Sequence, residues 1–296
     1  MKPNPAFFYT VTAAVIWGAT APIMKLTLAQ IPVFSLAFIR MAVASLILGI
    51  LIAKKLKIEK ADYATFFWAA ITGVTLNLAF FFLGLKLTQA ILAAFLVASV
   101  PVFTLFAAHF YLKEKFNLRL IIASVIAMIG VIIIIGKFDG GLSPKQLLGN
   151  LLLFAATLSW VAHEIIAKKL LKVYQAGVVA FYSMAVGAAT FFPLFLWEFW
   201  RDPTWIGKVD TSGFLGLLYG IFFASLAAYW AWQQGLKLLP AGQAAFFFYL
   251  DPVSGAILSM ILLGERLTST LAIGGILIII GVFLAEHKRQ ARQLDK

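Results

Sequence analysis

The chain has 296 residues, 62% of them hydrophobic and only 12% charged, with no cysteine and a formal net charge of +12. Soluble domains are about 45–50% apolar and about 25% charged, so this composition excludes a soluble globule and points to a polytopic membrane protein. The missing cysteines exclude disulfides and thiolate chemistry, and three histidines without an HExxH pattern give no reason to expect a metal or any other cofactor.

In chain order, ten apolar segments are predicted to cross a bilayer, which takes about 20 residues each. They lie near 6–26, 32–53, 64–85, 90–111, 118–136, 147–167, 177–198, 213–234, 241–263 and 269–286. The first resembles a signal peptide, with Lys2 ahead of it and Ala19-Thr20-Ala21 near its end. Pro22 directly after that tripeptide disfavours cleavage, so the segment reads as a retained helix. Basic clusters recur at alternate connections: Lys54, Lys55, Lys57 and Lys60; Lys113, Lys115 and Arg119; Lys168, Lys169 and Lys172; and Lys288, Arg289 and Arg292. That is the positive-inside pattern, and it places both termini on the cytoplasmic side of a cytoplasmic (inner) membrane. The net charge is therefore a topology signal, and no nucleic-acid partner is expected.

The chain repeats itself. VIWGATAPIMK (15–25) aligns with LSWVAHEIIAK (158–168), AFIRMAV (37–43) with AFYSMAV (180–186), and GLKLTQA (84–90) with GLKLLPA (235–241). Pro101 then falls on Pro252, Glu114 on Glu265 and Gly130 on Gly281, and the second half carries an insertion in the loop 199–212. The expected fold is all-α, with two homologous five-helix repeats at 1–143 and 144–296. An odd number of spans per repeat makes the two inverted in the membrane, an arrangement characteristic of transporters.

PVFTLFAAHFYLKEKFN (101–117), its partner PVSGAILSMILLGERLT (252–268), and the downstream glycines resemble the doubled signature of the EamA family, within the drug/metabolite transporter superfamily. The resemblance covers nearly the whole chain. It implies transport of small metabolites, often export of amino acids or drugs, through a central cavity lined by the first, third and fourth helices of each repeat. Pro101, Glu114, Pro252 and Glu265 are the positions carried over from the motif.

Polar residues inside the spans are the functional candidates. Asp251 sits mid-span on a face with Phe247, Phe248 and Gly255, and its repeat mate is Val100. It reads either as a proton-coupling group or substrate-ammonium partner, or as a carboxylate satisfying backbone donors beside Pro252. Glu164 reads either as a second proton-coupling candidate or as a helical partner of Lys168, and His163 beside it as a structural histidine or a cavity residue. Asn77 either bonds a neighbouring helix or reads substrate. Trp17, Trp160, Tyr229 and Trp230 would give a cavity aromatic walls suited to apolar or aromatic ligands. Gln233 and Gln234 read as interfacial, Glu114 and Glu265 as ion pairs or caps at the turn into the fifth helix of each repeat, and Arg40 as the partner of an unidentified carboxylate.

The leading expectation is a secondary transporter exporting small metabolites by alternating access. Aromatic or apolar amino acids are the foremost substrates, the bilayer is its solvent, and protons are the candidate coupling ion. No GxxxxGK[ST] motif offers ATP binding. A lipid or drug flippase, or a channel, is the alternative. An intramembrane enzyme would need a nucleophile–base set that the sequence does not display, and no signal for oligomeric state is present.

Overall fold

The computed structural model describes residues 5–112, 122, 125, 126, 128–130, 132, 133 and 143–286. Among the described residues every regular element is helical. Seven helical runs are long and apolar enough to cross a membrane: α1 Pro5–Thr27, α2 Val33–Leu51, α3 Lys60–Leu87, α4 Ala90–Tyr111, α5 Pro144–Leu170, α6 Ala176–Arg201 and α7 Thr211–Leu238. Two further apolar helices follow, α8 Leu250–Leu263 and α9 Ser269–Glu286. The seven runs and α9 match the expected segments to within a few residues. Most of the segment expected at 118–136 lies outside the described residues, as do Glu114 and the basic tail.

The segment expected as one helix at 241–263 is broken. A short helix at Ala241–Ala245 passes through a 3-10 turn at Phe246–Tyr249 before α8 begins. Pro252 lacks an N–H, so the carbonyl four residues earlier loses its α-helical donor just where the tighter turn occurs. Local signals set other ends. Ser143 caps α5: the Gln146 N–H donates to its Oγ (3.3 Å), and its own N–H donates to Gln146 Oε1 (3.2 Å). Asp210 caps α7 by accepting from the Gly213 N–H at 3.0 Å. The Ser212 hydroxyl, that N–H and the Gln30 amide hold the Asp210 carboxyl down to about 2, so the cap is ionised at neutral pH. Gly264, with φ of 63°, ends α8.

The bundle is built from close crossings. α2 lies along α6, α3 along α5, and α1 against the C-terminal half of α7 and against α8. Hydrophobic attraction between helices is weak in lipid, so contact depends on backbones approaching closely. At the α3–α5 crossing a Cβ on Gly84 would sit 2.8 Å from the Gly149 carbonyl oxygen, too near for any side chain without moving a helix. Gly84→Val should therefore cost about 1–3 kcal/mol. The measurement is the thermal unfolding midpoint in detergent, with Gly207→Ala as control because a Cβ there meets nothing within 4 Å. Equal midpoints for the two variants would mean that the crossing is not close-packed.

Candidate functional site

Two helices depart from the α geometry at matching places in the sequence repeat. α3 is π-helical over Ile71–Leu76 and α7 over Tyr219–Ala227. A π turn disturbs the regular ladder and lets side chains bond to main-chain carbonyls. Tyr229 Oη donates to the Gly73 carbonyl (2.6 Å), and Trp17 Nε1 to the Ala224 carbonyl (2.9 Å). His163 Nδ1 contacts the Ala69 carbonyl (2.8 Å), and Arg40 Nε donates to the Gly220 carbonyl (3.2 Å). Gly73 pairs with Ala224 in the repeat, and Ala69 with Gly220. Equivalent carbonyls therefore anchor the ring of polar and aromatic side chains from both halves.

Inside that ring is a partly open cavity of about 100 Å³. Four residue pairs matched by the repeat line it: Trp17 with Trp160, Leu78 with Tyr229, Val97 with Phe248, and Val100 with Asp251. Thr20, Arg40, Asn77 and Phe81 complete the wall. Trp17 meets Trp160 edge-on at 5.1 Å and Tyr229 at 5.5 Å, and it lies parallel to Phe248 at 5.9 Å. Such edge-on and stacked packing fixes the ring planes.

Two ionisable side chains reach this wall, and both are buried. Asp251 is 4% exposed, and its Oδ1 has no hydrogen-bond partner among the described residues. Arg40 is 2% exposed. Besides Gly220 it donates to Ser225 Oγ (3.2 Å) and Met24 Sδ (3.4 Å), and it lies 5.3 Å from the Phe82 ring centre. Arg40 and Asp251 do not pair. The one ion pair among the described residues joins Lys25 Nζ and Glu265 Oε1 at 2.8 Å.

Of the residues singled out in the sequence, Trp17, Asn77, Trp160, Tyr229, Phe248 and Asp251 come together here, while His163, Glu164, Trp230 and Phe247 do not. His163 is fully buried behind the wall, between the Ala69 carbonyl and the Gln233 side chain at 3.0 Å. Gln233 is thus fully buried, not interfacial. Glu164 lies one turn beyond Trp160 and is sealed against α4, where Thr104 Oγ1 donates to it at 2.6 Å. It does not pair with Lys168, whose Nζ bonds the Leu236 and Leu239 carbonyls at 2.5 Å each. Trp230 is one helical step from Tyr229 and turns outward onto Tyr9 (5.5 Å), and Phe247 turns onto Phe7 (5.6 Å). Asn77 donates to the Ala156 carbonyl at 2.9 Å, the interhelical bond, and also lines the cavity.

Among the motif positions, Pro101 is buried in the first turn of the helix Val100–Leu112, and Pro252 lies in the first turn of α8. Glu265 makes both an ion pair and a cap, and makes them with α1 and α4. It pairs with Lys25 and accepts the N–H groups of Ala90 (2.9 Å) and Ile91 (2.8 Å), so it joins α1 to the start of α4. Arg40 was expected to meet a carboxylate and meets main-chain and hydroxyl oxygens instead. Reading the repeat column by column would have brought Leu78, Val97 and Val100 to the cavity as mates of Tyr229, Phe248 and Asp251.

Comparison with known proteins agrees with this architecture. The EamA-like transporter family model matches residues 4–136 and again 147–286. An uncharacterized transporter of Archaeoglobus fulgidus is 29% identical over 280 residues, covering 93% of this chain and 94% of its own. A probable amino-acid metabolite efflux pump of Escherichia coli is 28% identical over 162 residues, covering 52% of this chain and 53% of its own. A solved crystal structure matches with a TM-score of 0.69 at 20% identity, over 98% of this chain and 99% of the other, a likeness of fold.

The carbonyl anchors lead to a stability prediction. Tyr229→Phe keeps the ring and strands the Gly73 carbonyl, so it should cost about 1–3 kcal/mol. Thermal unfolding in detergent reads this directly, and an unchanged midpoint would show that the bond to Gly73 does not hold the wall.

Proposed function

Because the chain belongs to the EamA-like transporter family, we propose that it is a secondary transporter exporting small amphipathic metabolites, with aromatic or apolar amino acids foremost, by alternating access around the central cavity. The single observation that carries this is the set of four repeat-matched pairs on one cavity wall. A site lined equivalently from both halves can face either side as one half rocks against the other. The reading includes ten spans in two inverted repeats, 1–143 and 144–296, with both termini cytoplasmic in the inner membrane. The double family match and the alternating basic loops support it. The aromatic wall suits apolar side chains. The name of the Escherichia coli relative supports amino-acid metabolites as cargo.

Protons are the proposed coupling ion, and Asp251 is the proposed coupling group because it is the carboxylate at the cavity wall. Arg40 and Tyr229 share that cavity with it, and Tyr219 lies within its electrostatic reach. Glu164, sealed against Thr104, is the weaker candidate. The test is uptake of labelled leucine, phenylalanine and tryptophan into proteoliposomes, with and without a pH gradient. Wild type should exceed protein-free vesicles and respond to the gradient. Asp251→Asn should lose the gradient response, and Trp17→Ala should slow uptake about tenfold, the equivalent of one lost buried interaction. Scrambling of labelled lipid with no amino-acid uptake would replace this reading with a flippase.

A further inference from the structure

Resting on the amino-acid reading above, we infer that the cavity recognises its ligand as a zwitterion, with Arg40 as the carboxylate-reading pole and Asp251 as the ammonium-reading pole. A buried acid or base is costly unless its bonding capacity is met, and this cavity holds one of each, both over nine-tenths buried. The two share one wall yet make no ion pair with each other. The Arg40 guanidinium is fixed by Nε on the Gly220 carbonyl and Ser225 hydroxyl and by Nη1 on Met24 sulfur, while its Nη2 bonds no described residue. Asp251 Oδ1 is likewise without a partner. Thus each pole has an unused hydrogen-bonding atom, and neither has a carboxylate or cation among the described residues to satisfy it.

A ligand with a carboxylate and an ammonium on one carbon supplies both complements at once. Its net charge is zero, so binding brings no net charge into the cavity. A free cation or anion would satisfy one pole and strand the other. The apolar substituent would lie among Trp17, Trp160, Tyr229 and Phe248, which also offer ring faces to an ammonium. Arg40 is thereby a specificity-determining residue. Its repeat mate is Ser183 and that of Asp251 is Val100, so each pole is supplied once, from opposite halves.

The test is a binding series on detergent-purified wild type, read by calorimetry. L-Leucine, L-phenylalanine and L-tryptophan are each compared with their methyl ester (cation) and N-acetyl derivative (anion). The zwitterion should bind at least about tenfold more tightly than either derivative. Asp251→Asn should narrow the gap to the N-acetyl acid, and Arg40→Gln the gap to the ester. Binding of the ester equal to the zwitterion overturns the role of Arg40, and equal binding of the N-acetyl acid overturns that of Asp251. The series on wild type decides this even if the Arg40 variant fails to fold. Wild type that transports amino acids with no preference for charge form refutes this inference alone, whereas no binding and no uptake of any member refutes the amino-acid reading and this inference with it.

Discussion

The constraint on which the site depends is the fate of main-chain carbonyls inside a membrane. Lipid offers no donor, so a carbonyl released from its helical ladder must find one within the protein. The π turns of α3 and α7 meet this need with side chains that cross to them: Tyr229 to Gly73, Trp17 to Ala224, and Arg40 to Gly220. Each such bond does two things. It satisfies the carbonyl, and it fixes the aromatic ring or guanidinium at the cavity wall. Glycine serves the same geometry at Gly73, where a Cβ would lie 2.2 Å from His163 Nδ1 and prevent the imidazole from reaching Ala69.

A second layer follows from charge. Ionisable groups in a bilayer are expensive unless paired. Lys25 and Glu265 meet that cost by binding each other, and Glu265 also takes the first N–H groups of α4. Lys168, the repeat mate of Lys25, bonds the Leu239 carbonyl much as Lys25 bonds that of Thr88, its mate in the repeat. These contacts tie helix ends. Arg40 and Asp251 are buried more deeply, line the cavity and have bonding capacity to spare. The ionisable groups that tie helix ends are thus completed by the protein, whereas Arg40 and Asp251 are completed only in part.

Most of the helical runs were legible in the sequence because apolar length is a one-dimensional signal, read without knowing what any residue touches. The break at Phe246–Tyr249 was less legible, since the missing N–H of Pro252 is felt a turn earlier than the residue itself. Trp17, Trp160 and Asp251 were found at the wall because an indole or a carboxylate deep in a span has few other uses. Trp230 and Phe247 were misplaced because residue type does not specify facing, and a single helical step separates an inward Tyr229 from an outward Trp230. The π turns had no composition signature. Without them the hold on Arg40 could not be seen in the sequence.

Symmetry and its violation divide the work of the cavity. Repeat-matched positions build the frame, with Trp17 facing Trp160 and equivalent carbonyls anchoring the two halves. The polar chemistry falls where the repeat is broken: Asp251 against Val100, Tyr229 against Leu78, Arg40 against Ser183. A frame with equal halves suits a site that must be lined alike in two orientations, while a ligand with distinct ends requires poles that differ. Under the proposed exchange, a proton and a substrate ammonium would compete for the same Asp251 carboxylate. Release of one would then favour uptake of the other, and coupling would need no second acidic group at the wall.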